Sequence, residues 1–303
     1  MITPDFLKKG DSIAIISPAG RIDKNIVLSA KEIIEGLGFK TVVGENAFRI
    51  FNQYAGKENE RAEDFNKAIE NKEVKAILFS RGGYGSLKIL DKVNFELFES
   101  KPKWLIGYSD ISVFHRYVNN LGIESLHATM PKDFDEKNNS SVRKMLDVIS
   151  GHDIKYKKII SSLDKSGFTE GVLTGGNLSI LYSLRGTELD YCLKDKILFI
   201  EEVGEYLYHL DRIMMNFKYS GIFKNIKGLI VGGMTNMQDN KIPYGYTAKE
   251  IIHSYIKDYD FPVMFDFPAG HIKENYPLIM GRKVNLEVNK KEAILNFNKK
   301  DEK

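Results

Sequence analysis

Trp104-Leu105-Ile106-Gly107-Tyr108-Ser109-Asp110-Ile111-Ser112 changes its hydrophobic period in mid-run. Three large apolar residues lead into Gly107 as a buried strand would. From Ile111 the apolar positions (Ile111, Val113, Phe114, Tyr117, Val118) follow a helical spacing instead. Ser109 and Asp110 therefore stand at the carboxyl end of a strand and the N-terminus of a helix, where backbone N–H groups lack intrahelical partners. Two uses are open to such a serine. Ser109 or Asp110 caps the helix, or Ser109 is a nucleophile exposed at the sheet edge. The mechanics are those of a G-x-S-x-G turn, although Ile111 occupies the place of the second glycine.

Outward from this stretch, strand and helix signals alternate. Residues 12–17, 40–43, 76–80 and 124–128 read as further strands. Helical stripes cover 26–36 and 58–71, and another helix is expected from about Leu87. This order predicts an α/β fold with an N-terminal, open, mainly parallel sheet flanked by helices. The rhythm breaks over 132–170, so the boundary is drawn between an N-terminal domain at 1–150 and a C-terminal domain at 151–303. The second half reads as mixed α/β. Strands are expected near 171–177, 196–203, 228–233, 263–267, 278–280 and 284–288, and helices at 142–149, 178–184, 206–219 and 249–259. Residues 299–303 read as a frayed tail.

The totals narrow the classes. A chain of 303 residues, 43% hydrophobic and 28% charged, can bury a sizeable core. Its net charge of +3 is small and its lysines are dispersed, which argues against a nucleic-acid partner. Cys192 is the sole cysteine, excluding an intramolecular disulfide and a cysteine-rich metal site. The N-terminus lacks a signal-type apolar stretch, and no run is long enough to span a membrane. A cytoplasmic protein with no membrane partner is expected.

Three further features could carry chemistry. Arg81-Gly82-Gly83-Tyr84-Gly85-Ser86 follows a strand, where backbone N–H groups can hold an anion. Neither P-loop nor dinucleotide spacing is present, so the choice lies between an oxyanion site and a tight turn. Glu201 and Glu202 close an apolar strand, and only one of them can face a given pocket; plain surface acids are the alternative. The six histidines show no zinc-binding spacing. His271 lies on a turn, Phe267-Pro268-Ala269-Gly270-His271, from which it can reach a site. His127 ends a strand and could line the same cleft as Ser109, whereas His115 and His253 read as packing or surface residues. Asp211-Arg212 reads as a structural pair.

Taken together, these stretches resemble the L,D-carboxypeptidase family of serine peptidases, which includes muropeptide L,D-carboxypeptidases and microcin C immunity peptidases. The shared marks are Gly10-Asp11 with Ile15-Ile16-Ser17-Pro18, Arg81-Gly82-Gly83-Tyr84-Gly85, Pro102-Lys103 through Ser109-Asp110, and Gly175-Gly176-Asn177-Leu178. Leu198-Phe199-Ile200-Glu201-Glu202, Tyr208 with Asp211-Arg212, and Gly270-His271 complete the set. The resemblance implies a triad of Ser109 as nucleophile, His271 as base and then acid, and Glu201 as the carboxylate orienting the imidazole. It implies an oxyanion hole from the backbone N–H groups of Gly83 and Asp110. Two departures stand out. His127-Ala128-Thr129-Met130-Pro131 replaces the usual His-Gly-Pro, and Ser112 stands where threonine is common.

The resemblance further implies an active site between the domains, no metal, no organic cofactor, and a homodimer. The expected reaction is release of terminal D-alanine from a murein tetrapeptide in cytoplasmic cell-wall recycling. The enzymatic alternative is a microcin C-type immunity peptidase acting on an aminoacyl-nucleotide conjugate. That activity needs an aromatic platform for the base, and the one tryptophan, Trp104, sits in a buried-strand pattern. A two-lobed peptide-binding module without catalysis is the alternative of another class.

Overall fold

The computed structural model describes residues 1–135, 139–190 and 193–297. Cys192 and the tail at 299–303 lie outside the described residues. The chain forms two compact units. One comprises residues 1–152 with 273–280, and the other 153–272 with the chain from 281 onward.

The first unit is built on a six-stranded sheet. Its strands are β1 (Ser12–Ile16), β2 (Lys40–Val43), β3 (Val74–Phe79), β4 (Trp104–Gly107) and β5 (Ser125–His127). They run parallel in the order β2-β1-β3-β4-β5. The central strands β1 and β4 are buried throughout, as a parallel sheet covered on both faces requires. Covering helices include α1 (Lys24–Gly36) and α2 (Glu58–Glu70). α2 turns Ala62, Phe65, Ala68 and Ile69 inward at helical spacing. Phe65 meets Phe114 edge-on with centroids 5.1 Å apart, and Phe79 stacks on Phe114 at 5.2 Å. Each such ring contributes roughly 1.5–3 kcal/mol by its burial.

The helix expected from Leu87 is instead a 3-10 turn, Leu87–Lys92, followed by a separate α3 (Phe95–Ser100). Asn94 restarts the chain by accepting the Leu97 N–H at 3.0 Å, a side-chain N-cap. After β4 come α4 (Ser112–Asn120) and, beyond β5, α5 (Ser140–Ile149).

The sixth strand of this sheet, Leu278–Met280, comes from late in the chain and pairs antiparallel with β5, Leu278 opposite His127. Residues 273–280, assigned by sequence to the C-terminal domain, thus belong to the first unit. The three buried residues of this strand cover a sheet edge whose backbone groups would otherwise be unpaired.

The second unit carries a seven-stranded mixed sheet. Its strands are β6 (Lys155–Ile159), β7 (Gly167–Asn177), β8 (Lys196–Val203), β9 (Gly228–Thr235) and β10 (Val263–Met264). Beyond β11 (Leu278–Met280), already placed in the first sheet, follow β12 (Lys283–Val288) and β13 (Glu292–Phe297). The order is β10-β9-β8-β7-β12-β13-β6, parallel from β7 to β10 and antiparallel from β7 to β6. Helices α6 (Leu178–Ser183), α7 (Leu207–Tyr219), α8 (Ile222–Asn225) and α9 (Ala248–Ile256) accompany the parallel half. Leu198, Ile200, Leu210, Ile213, Phe217 and Ile252 share one core. The strand expected over 263–267 stops after Met264. Phe265 N–H turns to Asp164 Oδ1 at 2.6 Å, and Asp266 adopts φ +54°.

Candidate active site

β4 delivers the chain to Tyr108 in extended conformation, and Ser109 then adopts φ +66° before a 3-10 turn, Ser109–Ile111, leads into α4. A non-glycine residue in this left-handed region is strained by roughly 1–3 kcal/mol. The strain turns Ser109 out of the strand direction at the carboxyl edge of the sheet. The segment 81–86 lies directly beside it. A Cβ placed on Gly82 would fall 2.9 Å from Ser109 Cβ, 3.0 Å from Ser109 Oγ and 3.2 Å from Asp110 N, so no side chain fits there. Gly83 and Gly85 take φ +111° and +132°, where glycine avoids the Cβ penalty.

Two buried charges hold this segment in place. Asp110, 2% exposed, accepts the Ser86 N–H at 2.8 Å. Burial pushes its carboxyl above the usual range, although the Ser86 bond and Arg61 oppose that shift. Arg61, also 2% exposed, reaches from α2 to donate to Gly85 O at 2.9 Å and to Pro18 O, under the Tyr54 ring at 5.1 Å. Desolvation lowers its pKa. The sequence points to Asp110 for its N–H or as a helix cap, and nothing local in it points to Arg61. The carboxylate and the guanidinium are the ties that set the glycine loop against Ser109.

In the second unit, β8 ends on Glu201 and Glu202, where its register against β9 shifts, and the two carboxylates take different partners. Both are buried, so the plain surface alternative does not hold. Glu202 accepts from Asn177 Nδ2 at 2.9 Å, Ser179 N at 2.7 Å and Val203 N at 2.9 Å, which ties it to the N-terminus of α6. Burial raises its pKa against those bonds. Glu201, fully buried, faces the loop after β10. Its Oε2 accepts from His271 Nδ1 at 2.7 Å and from His271 backbone N at 3.2 Å. With Nδ1–H directed at a carboxylate, Nε2 is left as the basic nitrogen of the neutral ring.

The loop bearing His271 fits because glycines line both of its contacts. Gly270 takes φ +103°, and a Cβ there would lie 2.7 Å from Glu201 Oε2. On β9, Gly233 N donates to Ala269 O at 2.9 Å, and Thr235 Oγ1 donates to His271 O at 2.9 Å. The His271 ring is thereby fixed from below by Glu201 and along its backbone by β9.

Other sequence candidates resolve differently. His127 is fully buried, its ring centroid 5.7 Å from that of Tyr108 and 6.4 Å from that of His115. His115 packs in the core, its ring nitrogens 2.9 Å from Ser125 Oγ and 2.8 Å from Gly107 O, with its pKa lowered by burial to about 4. Trp104 is fully buried and donates to Asp5 O at 3.1 Å. Asp211 accepts from Tyr255 OH at 2.9 Å while Arg212 lies over the Tyr208 ring, so both are held by tyrosines. Among the described residues, no group of three or more His, Cys, Asp or Glu could hold a metal ion. No helix among them is long and apolar enough to cross a membrane.

Comparison with known proteins identifies the family. The LD-carboxypeptidase N-terminal domain matches residues 13–128, and the LD-carboxypeptidase C-terminal domain matches residues 170–286. The chain belongs to the LD-carboxypeptidase family. It is 28% identical over 298 residues to a probable murein peptide carboxypeptidase of Bacillus subtilis, covering 96% of this chain and 93% of that protein. It is 27% identical over 295 residues to the murein tetrapeptide carboxypeptidase of Pseudomonas aeruginosa, covering 92% and 94%. Among solved structures, muramoyltetrapeptide carboxypeptidase from Oxalobacter formigenes superposes with a TM-score of 0.86 at 23% identity, over 95% of this chain and 99% of that one. The microcin C7 self immunity protein MccF, in complex with aspartyl sulfamoyl adenosine, gives 0.89 at 20% identity over 99% of both chains. At these identities the superpositions establish a shared fold.

Proposed function

We propose that this protein is a serine-type L,D-carboxypeptidase that releases a terminal D-amino acid, D-alanine, from a murein tetrapeptide. The observation that carries the reading is the His271–Glu201 pair, an imidazole held through Nδ1 by a buried carboxylate in a chain of this family. The strained turn at Ser109 and the names of the full-length relatives support it. In this reading Ser109, Glu201 and His271 act on one peptide bond.

Ser109 Oγ attacks the scissile carbonyl carbon as His271 Nε2 takes its proton. Negative charge on the carbonyl oxygen is received by the N–H groups of Gly83 and Asp110. Collapse breaks the C–N bond, His271 returns the proton to the leaving amine, and the D-amino acid departs. Water, deprotonated by His271, then hydrolyses the ester and restores Ser109. A cytoplasmic location and a homodimer accompany this proposal, supported by the family resemblance.

Mass spectrometry of products from a muropeptide panel and from an aminoacyl sulfamoyl adenosine tests the substrate class. Loss of one D-alanine from the tetrapeptide, with the nucleotide conjugate intact, is expected. Hydrolysis of the conjugate alone would favour the immunity-peptidase activity, and turnover of neither would favour a binding module. Burial of Trp104 removes the one tryptophan as a platform for a nucleobase.

A further inference from the structure

We propose that Arg81 receives the terminal carboxylate of the substrate and makes the enzyme a carboxypeptidase. This assignment rests on the carboxypeptidase reading above. Such an enzyme must distinguish a peptide ending at the scissile residue from one that continues. Only the amide nitrogen and one α-carbon separate the scissile carbonyl carbon from the terminal carboxylate. The recognising cation therefore has to sit beside the nucleophile and its glycine loop.

Arg81 opens that loop. Its guanidinium lies across Gly20, where a Cβ would come within 3.0 Å of Nε, and near Gly83, where a Cβ would be 3.6 Å from Nη2. The Nε–H donates to Gly82 O at 3.3 Å, and Nη1 donates to Arg21 O at 3.0 Å. Gly20 N meets the same Gly82 O at 3.2 Å, so the arginine is seated on backbone from two loops. No carboxylate pairs with it among the described residues. Of the donors a guanidinium carries, those on Nη2 and one on Nη1 have no acceptor, which is the edge that binds a carboxylate through two parallel bonds. Gly82 joins this group to the serine, since a Cβ on that residue would lie 3.0 Å from Ser109 Oγ.

Two other cations lie near this loop and are differently committed: Arg61 is buried and donates to Gly85 O and Pro18 O, and Lys132 is paired. Lys132 Nζ lies 2.8 Å from Asp133 Oδ1, and Asp133 Oδ2 accepts from Tyr108 OH at 2.8 Å. That carboxylate neutralises the lysine and would repel a second anion. Arg81 has fixed geometry and an unmatched charge.

The test compares kcat/KM on a tetrapeptide with a free terminal carboxylate and on the same peptide with a terminal amide. The wild-type enzyme should prefer the free acid by about 100-fold or more, as expected when a charged hydrogen-bonding partner is removed. Arg81→Met should collapse that ratio towards unity, mainly by raising KM on the free acid. Arg81→Lys, which keeps the cation but not the fork, should fall between and serves if the methionine variant does not fold. Equal losses on both substrates, leaving the ratio unchanged, would mean that Arg81 only braces the glycine loop and would overturn the assignment. A wild-type enzyme that cleaves neither peptide would defeat the carboxypeptidase reading itself, and this assignment with it.

Discussion

His271 and Glu201, seventy residues apart in sequence, are joined twice through one oxygen: ring Nδ1 at 2.7 Å and backbone N at 3.2 Å both reach Glu201 Oε2. The double attachment fixes ring orientation as well as ring position. Glu201→Gln keeps the shape and removes the charge that favours the required tautomer. A fall in kcat on the order of 10³- to 10⁴-fold is expected, with KM little changed, measured by D-alanine release. A loss below tenfold would remove Glu201 from the triad.

Gly270 has no room for a side chain. Its φ of +103° and the 2.7 Å approach to Glu201 predict that Gly270→Ala displaces His271 from its carboxylate. Activity should drop at least about 100-fold, because small misplacements near the chemistry are costly. Stability should fall by roughly 1–3 kcal/mol. Urea denaturation and turnover measured on the same preparation check both.

The ties on the glycine loop can be cut at Asp110, within the same unit. Asp110→Ala leaves the buried Ser86 N–H without its acceptor and removes one of the acidic groups acting on Arg61, Glu58 being the other. A loss of about 1–3 kcal/mol is expected, together with reduced acylation of Ser109 by a serine-directed reagent. Asp110→Asn retains an accepting oxygen and should recover much of the stability. Equal melting temperatures for the alanine variant and wild type would show that the loop is held by other contacts.

The loop ties and the dyad mark where sequence reading stops. The separate roles of Glu201 and Glu202 are expected from strand alternation, and the break of period at Ser109 marks the strand-to-helix turn; both expectations come from local geometry. Burial of Arg61 under Pro18 and Gly85 depends on three separate segments meeting, and nothing local to 58–71 announces it. The same holds for Leu278–Met280, whose apolar run is legible as a strand while its partner β5 is not. The strand Glu292–Phe297 is obscured in sequence because Ile294, on the outer side with Glu292 and Asn296, breaks the apolar/polar alternation. The boundary after Met264 depends on Asp164, about a hundred residues earlier.

Acid should act through His115. Its folded pKa of about 4 lies below the ordinary value of 6.5 because the buried ring resists charge. A depressed pKa means that the stabilisation is fully present above pH 6.5 and is lost as pH falls towards 4, where the unfolded chain takes up a proton that the folded chain refuses. The expected contribution to the loss is on the order of 3 kcal/mol. Comparing urea midpoints at pH 7 and pH 4.5 for wild type and His115→Gln checks it; the variant should show a smaller drop. An unchanged drop would assign the acid sensitivity elsewhere.

The most direct measurement is D-alanine release from a murein tetrapeptide by wild type and Ser109→Ala at matched folded concentration. Wild type should release D-alanine steadily, and the variant, with an unchanged far-UV spectrum, should release it only at the uncatalysed background. Release by Ser109→Ala at a rate near wild type would contradict the nucleophile role of Ser109.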